Sequence, residues 1–431
     1  MQSAPSSSKR RRIMKKIRFG VIGLGQRGFN VMKSVLMKID EIEIAAVCDK
    51  YQDRVDTAAK EVTDAGREAP FMTVDYKDVL ALDKVDAVYV ACDWEYHVLV
   101  SIDALRAGKA VAMEVGGAYS IEELWELVKA WEETKTPFMF MENACYCRGE
   151  LLATNMHRHG VFGEVVHCQG SYSHDLRDEI SKGNIIRHYR LRNYTQRNCD
   201  NYPTHDLGPI AKLLNINRGN KMLTLTSMGS KARGLEKYIS DHPELVEEDP
   251  SLAGRRFKQS DVFHTLISCA NGETILLKLD TTLPRYYSRD FTVRGTVGSY
   301  FMESNSVFLD GDEDLNCVAF NRDKSDSAKN FEADYQHPFW LNLTEEQKAS
   351  GHGGVDYFEF RTFVDCYLNG TEMPIDVYDA AAWMSIAALS EASAAQGSIP
   401  QAIPDFTNGK WMLRKPLDVV DFSGSGKGRA E

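Results

Sequence analysis

The chain has 431 residues, 43% of them hydrophobic, and a formal net charge of -11. That length exceeds one ordinary core and implies two domains of a globular protein. The acidic balance argues against broad binding to phosphate backbones, so nucleic acid is not an expected partner, and charges interrupt every apolar run before the roughly 18 residues of a membrane span.

Residues 1–15 open with the Ser-rich, basic run MQSAPSSSKRRRI and are expected to form a disordered extension. Arg10 to Arg12 lack the apolar segment that a twin-arginine signal needs. The chain as given is expected in the cytoplasm, or exported if a signal has been removed. The nine cysteines sit mainly in apolar, strand-like segments (Cys48, Cys92, Cys168, Cys269) without paired metal spacing, so they read as reduced thiols and no metal site is expected.

From Lys16 the run KIRFGVIGLGQRGF reads as strand, glycine turn and helix. Ile42–Cys48 is the next strand and ends at Asp49, followed by a helix over Arg54–Val62. VDAVYVAC (85–92) is a buried-type strand, Val98–Ala107 a helix stopped by Gly108, AVAMEV (110–115) a strand, Ile121–Thr134 a helix and PFMFME (137–142) the last strand of the half. Such alternation predicts a doubly wound parallel sheet over residues 16–140. Beyond it, EVVHCQGSYS, KMLTLTSMGS, DVFHTLISCANGETILLKLDTTL and FTVRGTVGSYFME read as antiparallel strands, with ANGE as a hairpin turn. Residues 310–350 are polar and loop-like, while Tyr357–Leu368 and Val377–Ala394 read as helices. The fold class is therefore α/β: a Rossmann domain at 16–140, an α+β domain on an open, mainly antiparallel sheet at 141–421, and a flexible Gly/Ser tail at 422–431.

Gly23-Leu-Gly25-Gln26-Arg27-Gly28 falls directly after a strand and opens a helix, the context in which G-x-G-x-x-G binds a dinucleotide. Glycines permit the tight turn and let the backbone approach a pyrophosphate seated on the helix N-terminus. Asp49 ends the second strand about 20 residues further on, where a carboxylate bonds the ribose hydroxyls and repels a 2′-phosphate, so NAD is the expected cofactor. Trp94 and His97, just after the fourth strand, either line the cofactor or cap and pack the following helix. Glu114 ends the fifth strand in the same crevice.

The runs KIRFGVIGLGQRG and ACDWEYHVLVSIDALRAGKAVAMEV resemble the glucose-fructose oxidoreductase/inositol dehydrogenase/MocA superfamily. Most dehydrogenases of that superfamily end the fifth strand in Glu-Lys-Pro, whose lysine assists proton transfer; this chain has Glu114-Val115-Gly116 and lacks it. MENACYCRGELLATNMHRHGVFGEVVHCQGSYSHDLR, NYPTHDLGPIAKLLNINRGN, LPRYYSRDFTVRGTVG and GHGGVDYFEF are similar to glycoside hydrolase family 109, whose members act on N-acetylgalactosaminides with tightly bound NAD. The resemblance runs from about Lys16 to about Phe406. It places the family's active-site tyrosine on Tyr146, its Tyr-Pro-Thr-His motif on Tyr202 and His205, a further tyrosine on Tyr287, a mobile glycine-flanked histidine on His352, and the carboxylate beside the nicotinamide on Glu114. Two positions depart from it: Gly116 stands for a proline and Asp206 for a glycine.

The resemblance implies a redox-assisted elimination in which C3 of the sugar is oxidised, C2 loses a proton, the C1 substituent leaves, water adds and C3 is reduced again. His205 would accept the C3 hydroxyl proton, Tyr146 the C2 proton, and His352 would protonate the leaving group. Tyr287, with Arg285 and Arg289 nearby, would bind sugar hydroxyls or the N-acetyl carbonyl. A net sugar or inositol oxidoreductase is the first alternative and a non-catalytic NAD- or sugar-binding protein the second. The superfamily's habit implies a homo-oligomer joined through the open sheet.

Overall fold

A computed structural model describes residues 16–311 and 324–423. The expectations for residues 1–15 and for the tail from 424 lie outside the described residues.

Six strands form the first sheet: β1 (Ile17–Ile22), β2 (Ile42–Cys48), β3 (Phe71–Thr73), β4 (Ala87–Val90), β5 (Ala110–Glu114) and β6 (Phe138–Met141). Their order is β3-β2-β1-β4-β5-β6, and every pairing is parallel. Helices cover both faces, which is why β4, β5 and β6 are buried at every residue and read as continuous apolar runs. Strand order reverses between β1 and β4, opening a crevice beyond their C-terminal ends. The sequence reading missed β3 and the helix Tyr76–Leu80. Phe71 and Met72 lie exposed at the sheet edge, so that strand carries no burial periodicity.

Eight strands form the second sheet: β7 (Val165–Ser173), β8 (Met222–Gly229), β9 (Val262–Cys269), β10 (Thr274–Asp280), β11 (Thr292–Gly295), β12 (Gly298–Phe301), β13 (Ser306–Leu309) and β14 (Gln401–Ala402). They run in the order β13-β12-β11-β7-β10-β9-β8-β14, antiparallel throughout except where β7 meets β10. The expected hairpin joins β9 to β10, with Gly272 at φ 98 in its turn. Alternating burial along β9 and β10 puts one face on the core and leaves the other open.

The helix Val377–Ala395 packs on β8, on β6 and on the helix Ile121–Thr134, and so ties the two sheets into one core. Its start is fixed by an Asp376 capping box, and Arg218 pairs with Asp376 at 2.9 Å and Asp379 at 2.8 Å. The expectation of a loop across residues 310–350 is corrected in its described part. Three short helices lie there, Lys329–Tyr335, Pro338–Leu341 and Glu345–Ala349, the last two capped by His337 and by a Thr344/Gln347 box. Capping by polar side chains supports helices that polar composition alone suggests are loops.

Candidate active site

A cleft of about 1000 Å³ lies across the C-terminal ends of β1, β4 and β5 and reaches the second domain. At its dinucleotide end Gly23 adopts φ 96, and a Cβ there would fall 2.4 Å from the Ala91 backbone. A Cβ on Gly28 would fall 1.9 Å from the Gly23 carbonyl oxygen, so that glycine lets the helix Gln26–Ser34 pack on the turn. Gly25 differs, since a Cβ there would meet only the tip of Arg54 at 3.6 Å and would otherwise enter the cleft. The helix start carries no side-chain cap. Open space over Gly25, uncapped amides and glycines at the tight contacts fit a pyrophosphate.

Asp49 accepts from the Leu24 amide at 2.7 Å and the Tyr51 amide at 3.0 Å, so it fixes the glycine turn as well as facing the ribose end. The segment around Arg187 crosses this end of the cleft. Arg187 makes two bonds to Asp53, at 2.9 and 2.7 Å, and Arg54 donates to the Ile186 carbonyl at 3.0 Å. Trp94 stacks on Tyr202 with ring centroids 5.4 Å apart, and a Cβ on Gly116 would sit 2.6 Å from Trp94 Cδ1. His97 is buried; its Nε2 contacts the Cys92 carbonyl at 2.7 Å, while Nδ1 makes no hydrogen bond of good geometry among the described residues. Burial holds this imidazole below its ordinary pKa.

Glu114 carries the centre of the cleft. Arg27 Nε and the Tyr89 hydroxyl each donate to its Oε1 at 2.7 Å. The other end of Arg27 reaches the second domain, donating to Asp356 Oδ2 at 2.7 Å and Oδ1 at 3.1 Å. Asn143 Nδ2 donates to the same Asp356 at 2.7 Å, and His352 Nδ1 lies 2.9 Å from it. Burial alone would raise the Asp356 carboxyl, but Arg27 and His352 hold it well below the usual carboxylate range.

Facing this network, the helix Thr204–Leu213 presents His205 in its first turn. His205 Nδ1 stands 2.7 Å from Glu142 Oε1, at ion-pair distance but off the line of a good hydrogen bond. Two glycines permit the approach: a Cβ on Gly208 would lie 2.7 Å from Glu142 Cγ, and one on Gly170 of β7 would lie 2.8 Å from Asp206 Cβ. The far nitrogen of His205 lies 3.5 Å from the Tyr202 hydroxyl. A dinucleotide cradle and a carboxylate-backed histidine thus open onto one cleft.

Residues 17–141 match the oxidoreductase family with an NAD-binding Rossmann fold, and residues 146–413 match the C-terminal domain of glycosyl hydrolase 109. A glycosyl hydrolase family 109 protein of Stenotrophomonas maltophilia (strain K279a) is 35% identical over 94% of this chain and 92% of its own length. The chain belongs to glycosyl hydrolase family 109. An alpha-N-acetylgalactosaminidase of Tannerella forsythia is also 35% identical, over 93% of this chain and 88% of its own. Among solved structures, a levoglucosan dehydrogenase in complex with NADH and levoglucosan aligns with TM-score 0.66 at 17% identity, covering 90% of this chain and 100% of that one. A myo-inositol 2-dehydrogenase from Lactobacillus plantarum aligns at 0.64 and 18%, with 90% and 100% covered. At those identities the structures establish the fold alone.

This family 109 chain is a glycoside hydrolase, and NAD is the cofactor of its N-terminal domain. Gly23, Gly25, Gln26, Arg27, Asp49, Trp94, His97, Glu114, Tyr202, His205 and His352 all line the cleft. Four expected residues do not, the first being Gly28, which instead packs its helix on the glycine turn. Tyr146 is fully buried against Phe358, and burial, then the nearby Glu359, pushes its phenol well above its usual pKa. Arg285 turns to Asp280, bonding Oδ2 at 2.7 Å. Tyr287 stands at the rim, its ring 5.3 Å from that of His174 and its hydroxyl accepting from Arg289 at 3.1 Å.

Arg190, Tyr172, Asn143 and Asp356 line the cleft without having been singled out by the sequence. Arg190 is 8% exposed and lies over the rings of Trp94 and Tyr202, with Nε unpartnered and Nη1 3.3 Å from Glu179. It comes from an arginine-rich stretch in which spacing marks none above the others. The i, i+4 spacing of His352 and Asp356 was the one signal that could have exposed a pair.

Proposed function

We propose that this protein hydrolyses N-acetylgalactosaminides by oxidation, elimination, water addition and reduction, as an enzyme that needs no external cofactor. The observation that carries this reading is the shared cleft, in which His205 and His352 open onto the same space as the dinucleotide cradle. A classical mechanism needs two available carboxyl groups flanking the bond. Every carboxylate lining this cleft is already held: Asp49 by backbone amides, Asp93 by Lys50, Glu114 and Asp356 by Arg27, and Glu179 by Arg190.

Bound NAD supplies reversible oxidation of the sugar at C3. His205 takes the proton of the C3 hydroxyl and later returns it, with Glu142 steadying its ring. A ketone at C3 acidifies the neighbouring C2 proton; its loss to a cleft base breaks the C1–O bond, and His352 protonates the departing oxygen. Water then adds its oxygen to C1 and gives up a proton to His352, while the base returns a proton to C2, so that both groups are reset. Tyr146 would have to leave its enclosed position to serve as the C2 base, whereas Tyr202 already lines the cleft beside His205. The names of relatives, including an alpha-N-acetylgalactosaminidase of Tannerella forsythia, support the sugar and the α anomer.

Hydrolysis in deuterated water is the test. Deuterium is expected at C2 of the released sugar, and a 3-O-methyl glycoside is expected to be inert. Rapid cleavage of that blocked substrate would remove the oxidation step. We further infer a homo-oligomer joined through the open face of the second sheet, supported by Val166, Leu223, Met228 and Leu266, which are 49%, 40%, 65% and 50% exposed there.

A further inference from the structure

His352 sits in an unusual backbone. It adopts φ 47, followed by Gly353 at φ 69 and Gly354 at φ 102, three consecutive left-handed residues of which only the histidine carries a Cβ. A non-glycine residue stays in that region when its surroundings hold it there. What holds it is Asp356, in the first turn of the helix Val355–Asn369, at 2.9 Å from Nδ1. Asp356 is 1% exposed and bonded by Asn143 from beyond β6 and Arg27 from the dinucleotide turn. Gly351 belongs to the same device, since a Cβ there would lie 2.2 Å from Asp356 Oδ2. His352 itself has a side chain 63% exposed. Among the described residues, the contacts at Nδ1, of which Asp356 makes the shortest, fix which edge of the ring meets the cleft.

We propose that Asp356 is the positioning residue of His352: by accepting from Nδ1–H it turns Nε2 toward the departing oxygen, and through Arg27 it anchors the histidine loop to the dinucleotide-binding turn. The charged groups facing the pair are Arg27, whose Nη1 lies 3.3 Å from His352 Nδ1, and Glu114 behind it, with neutral Asn143 on the third side. In the step that uses the pair, a proton passes from Nε2 to the glycosidic oxygen as its bond to C1 breaks. Asp356 keeps its charge throughout. This inference rests on the reading of His352 as the leaving-group acid, and the experiment separates the two.

Wild type, His352→Ala, Asp356→Asn and the double variant are compared, with bound NAD intact, on an aryl and a methyl α-N-acetylgalactosaminide. An aryl oxygen needs little protonation, so losing the acid should slow the methyl glycoside about 100-fold while slowing the aryl one only a few-fold. Asp356→Asn is expected to show the same selectivity at roughly 10-fold, in kcat rather than KM, and the double variant to be no slower than His352→Ala. If Asp356→Asn fails to purify with NAD, Gly351→Ala displaces the carboxylate without removing it and is expected to give the same pattern. A selective His352→Ala beside an Asp356→Asn that slows both substrates equally, or whose effect multiplies in the double variant, overturns the positioning role alone. A non-selective His352→Ala overturns the acid reading and this inference with it.

Discussion

Nδ1 of His205 lies 2.7 Å from Oε1 of Glu142, a carboxylate with no exposed surface. The contact exists because Gly208, one helical turn after His205, lets the helix approach the end of β6. A buried carboxylate behind a cleft histidine orients the ring and stabilises the protonated form during transfer. His205→Ala is expected to lower kcat at least about 100-fold, and Glu142→Gln by roughly 10-fold or more, with KM changing far less. Bound NAD and the melting temperature of His205→Ala should stay near wild type. A near-normal kcat would return His205 to a packing role.

Asp49 braces the glycine turn, and we propose that it also sets cofactor choice. Asp49→Ser is expected to relax the preference for NAD over NADP, because the charge that repels a 2′-phosphate is gone. It should also lower stability by about 1 kcal/mol through the weakened bond to the Leu24 amide. Cofactor extracted from purified variant and wild type, identified by mass, checks the first part. NADP as the sole cofactor of the wild-type protein would defeat the argument.

Trp94 and Gly116 form a size-matched pair. A Cβ on Gly116 would lie 2.6 Å from the indole. Gly116→Ala should push Trp94 off Tyr202 and Arg190, costing roughly 1–3 kcal/mol of stability and reducing NAD retention. Thermal unfolding with and without added NAD measures both effects. An unchanged melting temperature and full NAD content would mean that Trp94 moves aside freely.

Asp200 and Asp206 are 1% and 2% exposed and make no ion pair among the described residues. Burial pushes both carboxyls above their usual pKa, and the charge of Asp200 raises Asp206 further. A raised folded pKa means that the native state holds more protons than the unfolded chain once pH passes about 4. Stability therefore falls as pH rises from there through the folded values. Asp206→Asn, which keeps an acceptor for the Leu207 amide, should be more stable than wild type at pH 8 and near equal to it at pH 4.5. Melting curves across that range decide it, and a pH-independent difference between the two proteins would count against neutral carboxyls.

Much of this protein is legible one residue after another. The alternation of apolar strands and helices from Ile17 to Met141, the glycine turn and the acidic end of β2 depend on neighbours in sequence, and the helix Ile121–Thr134 falls where its Ser120 capping box and periodicity put it. Strand β3 escaped because an exposed edge strand of three residues has no pattern to show. Residue type and motif singled out Glu114, Trp94, Tyr202, His205 and His352, which line the cleft, but could not say which way a side chain faces. Tyr146 follows the last Rossmann strand by only a few residues, yet packing against Phe358 encloses it.

The groups that contact the cleft histidines come from far along the chain: Glu142 for His205, and Arg27 with Asn143 for the Asp356 beside His352. Sequence periodicity encodes burial along one element, and that determined the two sheets and the cofactor turn. Contacts between elements depend on how closely two backbones approach, and here Gly208, Gly170, Gly116 and Gly351 set that distance. Those approaches are properties of the packed whole, so only the tertiary structure could decide which carboxylate serves which histidine.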